Sequence, residues 1–238
     1  MNTKVTLVLI AGVVGTACAS TTPGAKPHDM SVAQHEAMAA KESATATTHS
    51  GQYDPNASAQ TERCGVKGAC WTSTTNPTAV HLEDAKKHQK MAADHRAASQ
   101  ALRDAEARAC VGLADADRDT SPFDHREEIA SVEPLTADVA SGIAGKGGTR
   151  TVTEGAIITF RAVPGMTAQW LQRLVDCHLA RNAALGHEVP EMPLCPLVLK
   201  NVTATVTPTD SGFAVAVRSN DSQTVQEVLR RSRALVGR

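Results

Sequence analysis

Asp84, His88, Met91 and His95 follow one another at intervals of four, three and four. On a helix that spacing sets each beside the next on one face. Imidazole with thioether suits copper and imidazole with carboxylate suits zinc, so the four residues form a candidate transition-metal site. The surrounding pattern recurs, since His81-x6-His88-x-x-Met91-Ala-Ala repeats His28-x6-His35-x-x-Met38-Ala-Ala at an offset of 53. Histidines seven apart on a helix are separated by about 10 Å, so the repeated pair alone cannot share an ion. The competing reading is the solvated face of an alanine-rich helix.

A second set, Cys177, His178, His187, Met192 and Cys195, has the donor types of a blue-copper centre. That chemistry needs a free thiolate, and a Cys177–Cys195 disulfide would remove it. His178 falls near the apolar face with Leu171, Leu174 and Val175, which favours a satisfied half-buried imidazole. Asp115-x-Asp117-x-Asp119 alternates carboxylates as calcium loops do, but Thr120 stands where glycine is required and Arg126 where the closing Glu belongs. An acidic turn after a helix is the better account. Asp124, His125, Glu127 and Glu128 at a helix start complement the helix dipole and need no catalytic role. No Gly-x-Ser-x-Gly elbow, His-Glu-x-x-His, phosphate-binding Walker loop or Gly-x-Gly-x-x-Gly after a strand occurs, so no enzyme class is indicated.

The elements that would position these residues differ along the chain. Residues 79–111 lack Pro and Gly and are dense in strong helix formers, which predicts one long helix ending at Gly112. Its stripe of His81, His88, His95, Leu102 and Ala109, flanked by Ala85, Ala92, Ala98 and Ala105, is thin. Ser121-Pro122 is expected to start a further helix. Ala156–Val163 reads as a strand, Thr167–Leu185 as an amphipathic helix, Val202–Val206 and Phe213–Val217 as a hairpin, and Ser222–Leu235 as a closing helix. Ser131–Asp138 can add a strand. The fold class is therefore α+β: a long N-terminal helix, then a β-α-β-β-α sandwich over residues 131–238 with helices on one face of an antiparallel sheet.

The 238 residues carry 24 Lys plus Arg against 25 Asp plus Glu, which gives none of the basic surplus of a duplex nucleic-acid binder. Aromatic residues make up only 3% of the chain and much of the apolar fraction is alanine, so one core spanning the chain is not expected. Residues 18–60 hold few large apolar side chains and read as a disordered tether, with a capping box at Ser31 and Gln34 able to start a transient helix. Residues 61–130 form the cysteine loop and helical region, with Cys64–Pro77 read as a loop.

Residues 1–17 read as an export signal: Lys4, the apolar run Val5–Val14, then Gly15, Thr16 and Ala17 before Cys18. Small residues before a cysteine resemble the lipobox of bacterial lipoproteins. The resemblance implies cleavage before Cys18, a lipid on its thiol and attachment to a membrane. With Ala19 rather than Asp next, it implies the periplasmic face of the outer membrane; a secreted or soluble periplasmic protein is the alternative. Export would place five cysteines where disulfides persist. Cys64 is expected to pair with Cys70 around a short glycine-bearing loop, and Cys177 with Cys195 around a Pro-rich one, leaving Cys110 as a free thiol.

Within the last third, Pro164-Gly165-Met166-Thr167 between strand and helix resembles the first loop of the ferredoxin-like heavy-metal-associated domain, which reads Gly-Met-Thr-Cys-x-x-Cys. Ala168 and Leu171 occupy the two cysteine positions, so the resemblance implies topology without that family's copper site. Taken together, the sequence favours an exported, lipid-anchored envelope protein with a non-catalytic binding role, with copper or zinc as its candidate cofactor. A lipoprotein acting only through an envelope protein partner is the alternative, and an unrecognised hydrolase ranks last.

Overall fold

The computed structural model describes residues 22–66, 68–141 and 148–236. The export signal over 1–17 and the lipid-attachment residue Cys18 lie outside the described residues. Residues 22–60 depart from the tether expected of them, because helix α1 runs from Val32 to Gln52. The Ser31 hydroxyl accepts from the Gln34 N–H (3.1 Å) and the Gln34 side chain accepts from the Ser31 N–H (2.9 Å), so two otherwise orphaned donors are satisfied. Helix α2, Ala79–Ala109, packs antiparallel against α1. The buried stripe of α1 is His35, Ala39, Glu42 and Ala46, while α2 offers Ala85, Ala92, His95 and Ala98. Alanine lets the two backbones approach, and the polar side chains between are buried because each finds a partner across the seam. A count of large apolar residues misses such an interface.

Strands β1 (Ala59–Cys64) and β2 (Cys70–Thr75) form a largely exposed hairpin between the helices, where the sequence suggested a loop. Its tip is closed by the Cys64–Cys70 disulfide. Its base is clasped where α1 ends and α2 begins. There the Asp54 N–H donates to Thr78 Oγ1 (3.0 Å), and the Asp54 carbonyl accepts from Asn76 Nδ2 (2.8 Å) and Thr78 Oγ1 (3.0 Å).

After α2, the helix expected at Ser121 is absent. A short helix α3 (Asp115–Asp119) precedes it, and a 3-10 turn, Arg126–Glu128, follows. The Ser121 hydroxyl accepts from the Phe123 N–H (3.2 Å), turning the chain so that Phe123 enters the core fully buried. Strands β3 (Ile129–Ser141), β4 (Gly148–Arg161), β5 (Val202–Thr209) and β6 (Gly212–Ser219) build one antiparallel sheet in the order β3-β4-β6-β5. The chain is thus α+β with two antiparallel sheets. Helices α4 (Ala168–Ala184) and α5 (Ser222–Val236) pack on the large sheet. Ala156, Ile158 and Phe160 alternate into the core with Val215 and Val217, meeting Leu171, Val175 and Val228.

Gly155 marks a close approach of β4 to β6: a Cβ there would lie 1.8 Å from the Val217 carbonyl oxygen. Gly155→Ala is expected to cost more than the ~1 to 3 kcal/mol typical of overpacking, because backbone rather than a side chain must move. Urea unfolding of the variant measures it.

The second expected disulfide is not formed. Cys177 on α4 bonds Cys110 at the end of α2, 67 residues away, so Cys110 is not the free thiol. Cys195 is free and buried, and burial pushes its thiol pKa up. The short sequence separation of Cys177 and Cys195 was misleading because Cys177 faces the helical hairpin. Arg181, one turn on, adds an ion pair to Glu106 (3.5 Å) and another to Asp119 (2.6 Å) beside that bridge.

Candidate metal centre

Heptad spacing on both helices stacks the polar residues of the seam into three layers. In the innermost, His35 and His95 are 0% and 1% exposed, with Nδ1 atoms 3.0 Å apart. His35 Nε2 lies 3.3 Å from the Pro27 carbonyl, which only accepts, so that nitrogen carries the proton. In that tautomer His35 accepts at Nδ1 from the Nδ1–H of His95. Burial, and next the charge His35 would carry if protonated, hold the His95 pKa below its ordinary value.

In the middle layer His88 Nδ1 meets Oε2 of the buried Glu42 at 2.5 Å. A carboxylate on Nδ1 favours the proton there and leaves the lone pair on Nε2, the second-shell arrangement common to metal-binding histidines. The His49 ring stacks on His88 at 5.6 Å and 7°.

The outer layer is the ligand set. His49 Nδ1 and His81 Nδ1 are 3.2 Å apart, and the Asp84 carboxylate joins them with all donor atoms within 4.8 Å. Two nitrogen ligands of a tetrahedral zinc at ordinary bond lengths would be about 3.3 to 3.4 Å apart. All three side chains are half-buried. Asp84 stands one turn from His81, so α2 supplies two donors from one face and α1 the third.

Of the four residues read from the sequence, only Asp84 belongs to this group. His88 pairs with Glu42, His95 with His35, and Met91 is half-buried between them on α2. The four do share a face, but α1 lies across that face and divides them among layers. His49, His81, Glu42 and His35 were missed as partners, although the interval of seven from His35 to Glu42 to His49 matches that from His81 to His88 to His95.

The second donor set is dispersed. Cys177 is oxidised; His178 is fully buried, its Nε2–H donating to the Asp117 carbonyl (3.0 Å) while Nδ1 has no partner among the described residues. Burial lowers the His178 pKa and keeps it neutral. Glu62 lies with Cys64 and Cys70, but the disulfide leaves no thiolate to ligate. The acidic turn is α3, with Asp115 and Asp119 engaged by Arg118 and Arg181. No helix of the described residues is long and apolar enough to cross a membrane. The chain matches no protein-family model, no curated protein and no solved structure.

Proposed function

We propose that this chain is an exported, lipid-anchored envelope protein that holds a transition metal, zinc in preference to copper, in the seam of its helical hairpin. The observation that carries the reading is the convergence of His49, His81 and Asp84 from two helices. Two imidazoles and a carboxylate suit zinc and leave a fourth position for water or an incoming donor. The role is binding and transfer rather than catalysis. Two disulfides support an oxidising compartment, and the lipobox-like segment before Cys18 supports a lipid anchor at the periplasmic face of the outer membrane. The C-terminal domain is read as a ferredoxin-like sandwich with its chain ends exchanged. β6 lies between β4 and β5 as that fold requires, while the outer strand precedes the first helix rather than following the last.

The test is zinc titration of the protein after exhaustive chelation. One zinc per chain is expected, weakened at least tenfold by His49→Ala or His81→Ala and unchanged by His125→Ala on the exposed surface. Absence of zinc and copper uptake sinks the reading. A second reading, a lipoprotein acting through an envelope protein partner alone, is favoured by Trp71 and Val66 standing exposed near the disulfide-closed tip. Its mark would be a crosslinked partner lost on Trp71→Ala while zinc uptake is nil.

A further inference from the structure

A cavity of about 810 Å³ lies where the helical hairpin meets the C-terminal domain, far enough from the seam layers to share no residue with them. Leu102 and Ala105 of α2, Leu179 and Ala183 of α4, and Leu199 and Val202 before and in β5 give it an aliphatic floor. His28, His187 and Lys200 stand at one end, and the same three side chains line an adjoining cavity of about 450 Å³. Junctions between folding units are common sites for small ligands, and this volume lies within their usual range.

Two further observations single this cavity out. His187 (φ 65°) and Asn201 (φ 59°) are the non-glycine residues with left-handed backbone among those described, and both line it. Strained backbone persists where the surroundings impose it, often around ligands. Lys200 is the only Lys or Arg on either cavity wall, and its ammonium has no hydrogen-bond or ion-pair partner among the described residues. His187 donates its Nδ1–H to the Val198 carbonyl (2.9 Å), and burial holds its pKa below the ordinary value, so it contributes a neutral ring. Four acids share these walls: Asp29, which accepts from the Lys26 N–H (3.0 Å), and the exposed Glu188 on the adjoining cavity, with Asp221 and Asp176 on the larger one. Asp221 accepts from the Thr224 N–H and hydroxyl (2.7 Å each) at the start of α5, and the exposed Asp176 accepts from Gln172 (2.8 Å).

We propose that this cavity binds a single-chain amphiphile with an anionic head, its aliphatic tail over the Leu102–Leu179 floor and its head on Lys200. The floor residues are aliphatic, and the lining holds no Phe, Tyr or Trp; its rings are the imidazoles of His28 and His187 at the polar end. The unpaired ammonium at one end sets the polarity of the occupant.

Dodecanoate and dodecanol, titrated calorimetrically into the folded protein below their aggregation limits, test the proposal. The expected result is saturable binding of one dodecanoate per chain, weakened at least tenfold by Lys200→Met, with dodecanol binding unaffected by that change. Ala105→Phe, which fills the cavity from α2, should abolish both, with unchanged circular dichroism showing that the fold is intact. No saturable uptake of dodecanoate by the unaltered protein overturns the proposal, as does equal affinity in Lys200→Met. Flotation with phosphatidylglycerol vesicles in the absence of dodecanoate binding would assign Lys200 to a bilayer surface and equally overturn it. Zinc binding at the seam is independent of every arm.

Discussion

Replacing Cys110 and Cys177 together by serine is expected to lower the free energy of unfolding by about 4 kcal/mol. The bridge closes a loop with a sequence separation of 67. In the chain-entropy account, the penalty of leaving that loop open in the unfolded state grows with its length. The bridge also ties the end of α2 to α4, which otherwise meet through a small patch of Leu102 with Ala183 and Ala184 and the Arg181–Glu106 ion pair (3.5 Å). The loss should appear in urea titrations as a lower midpoint and as an early phase in which the hairpin melts before the sheet. Reduction of the unaltered protein should reproduce it. Cys64→Ser with Cys70→Ser, opening a separation of six, should cost distinctly less.

Acidification is expected to melt the helical hairpin in the window just below neutrality. His95 has a folded pKa below its ordinary 6.5, first because it is buried and next because of His35. The unfolded chain therefore binds the proton more readily than the folded one. Stability is complete above about pH 6.5 and falls as pH drops toward the folded value. His178 and His187, also lowered by burial, act with the same sign. The carboxylates occupy a separate window. Glu227, held to about 2 by hydrogen bonds from Arg230 and then Arg231, contributes stability above 4.5 that is lost progressively as pH falls from there to about 2.

Melting followed between about pH 7.5 and pH 5.5 thus isolates the histidines. His35→Leu with His95→Leu should flatten the slope while changing neutral-pH stability little, because both partners of the buried hydrogen bond go together. His95→Ala alone should cost about 1 to 3 kcal/mol for the orphaned His35 nitrogen, plus the cavity left behind. An unchanged pH slope in the double leucine variant would refute this origin. Zinc bound at His49 and His81 should shift hairpin melting in the same direction, since those imidazoles ligate only when deprotonated.

Legibility followed the size of the side chains. The period-two runs through Ile158, Phe160, Val215 and Val217, and the amphipathic repeat of α4, identify the C-terminal sheet and its helices because large apolar groups have one place to go. Helix α2 was legible from propensity alone. Helix α1 was not, because its stripe of His35, Ala39, Glu42 and Ala46 carries almost no hydrophobic signal and is meaningful only opposite α2. The same dependence split the metal site: Asp84 was found on α2, whereas His49 becomes a ligand only once the register of the two helices is known. Of the two expected disulfides Cys64–Cys70 is formed, whereas the pairing of Cys177 failed for a related reason, since separation along the chain favoured Cys195 and separation in space favoured Cys110.

Register itself is degenerate in the seam. Sliding one helix by a heptad would set Glu42 against His95 and His49 against His88, polar pairings of the same kind, at the expense of setting the buried His35 against Leu102. Alanine layers offer no knob large enough to forbid the slip. The slip is further opposed by the hairpin β1–β2, which holds Ala59 opposite Thr75 and is latched at Asp54, Asn76 and Thr78. An element that buries almost nothing thus acts as a ruler, fixing how much chain separates the helices. Lengthening that hairpin by an insertion should leave both helices intact yet let the histidines change partners.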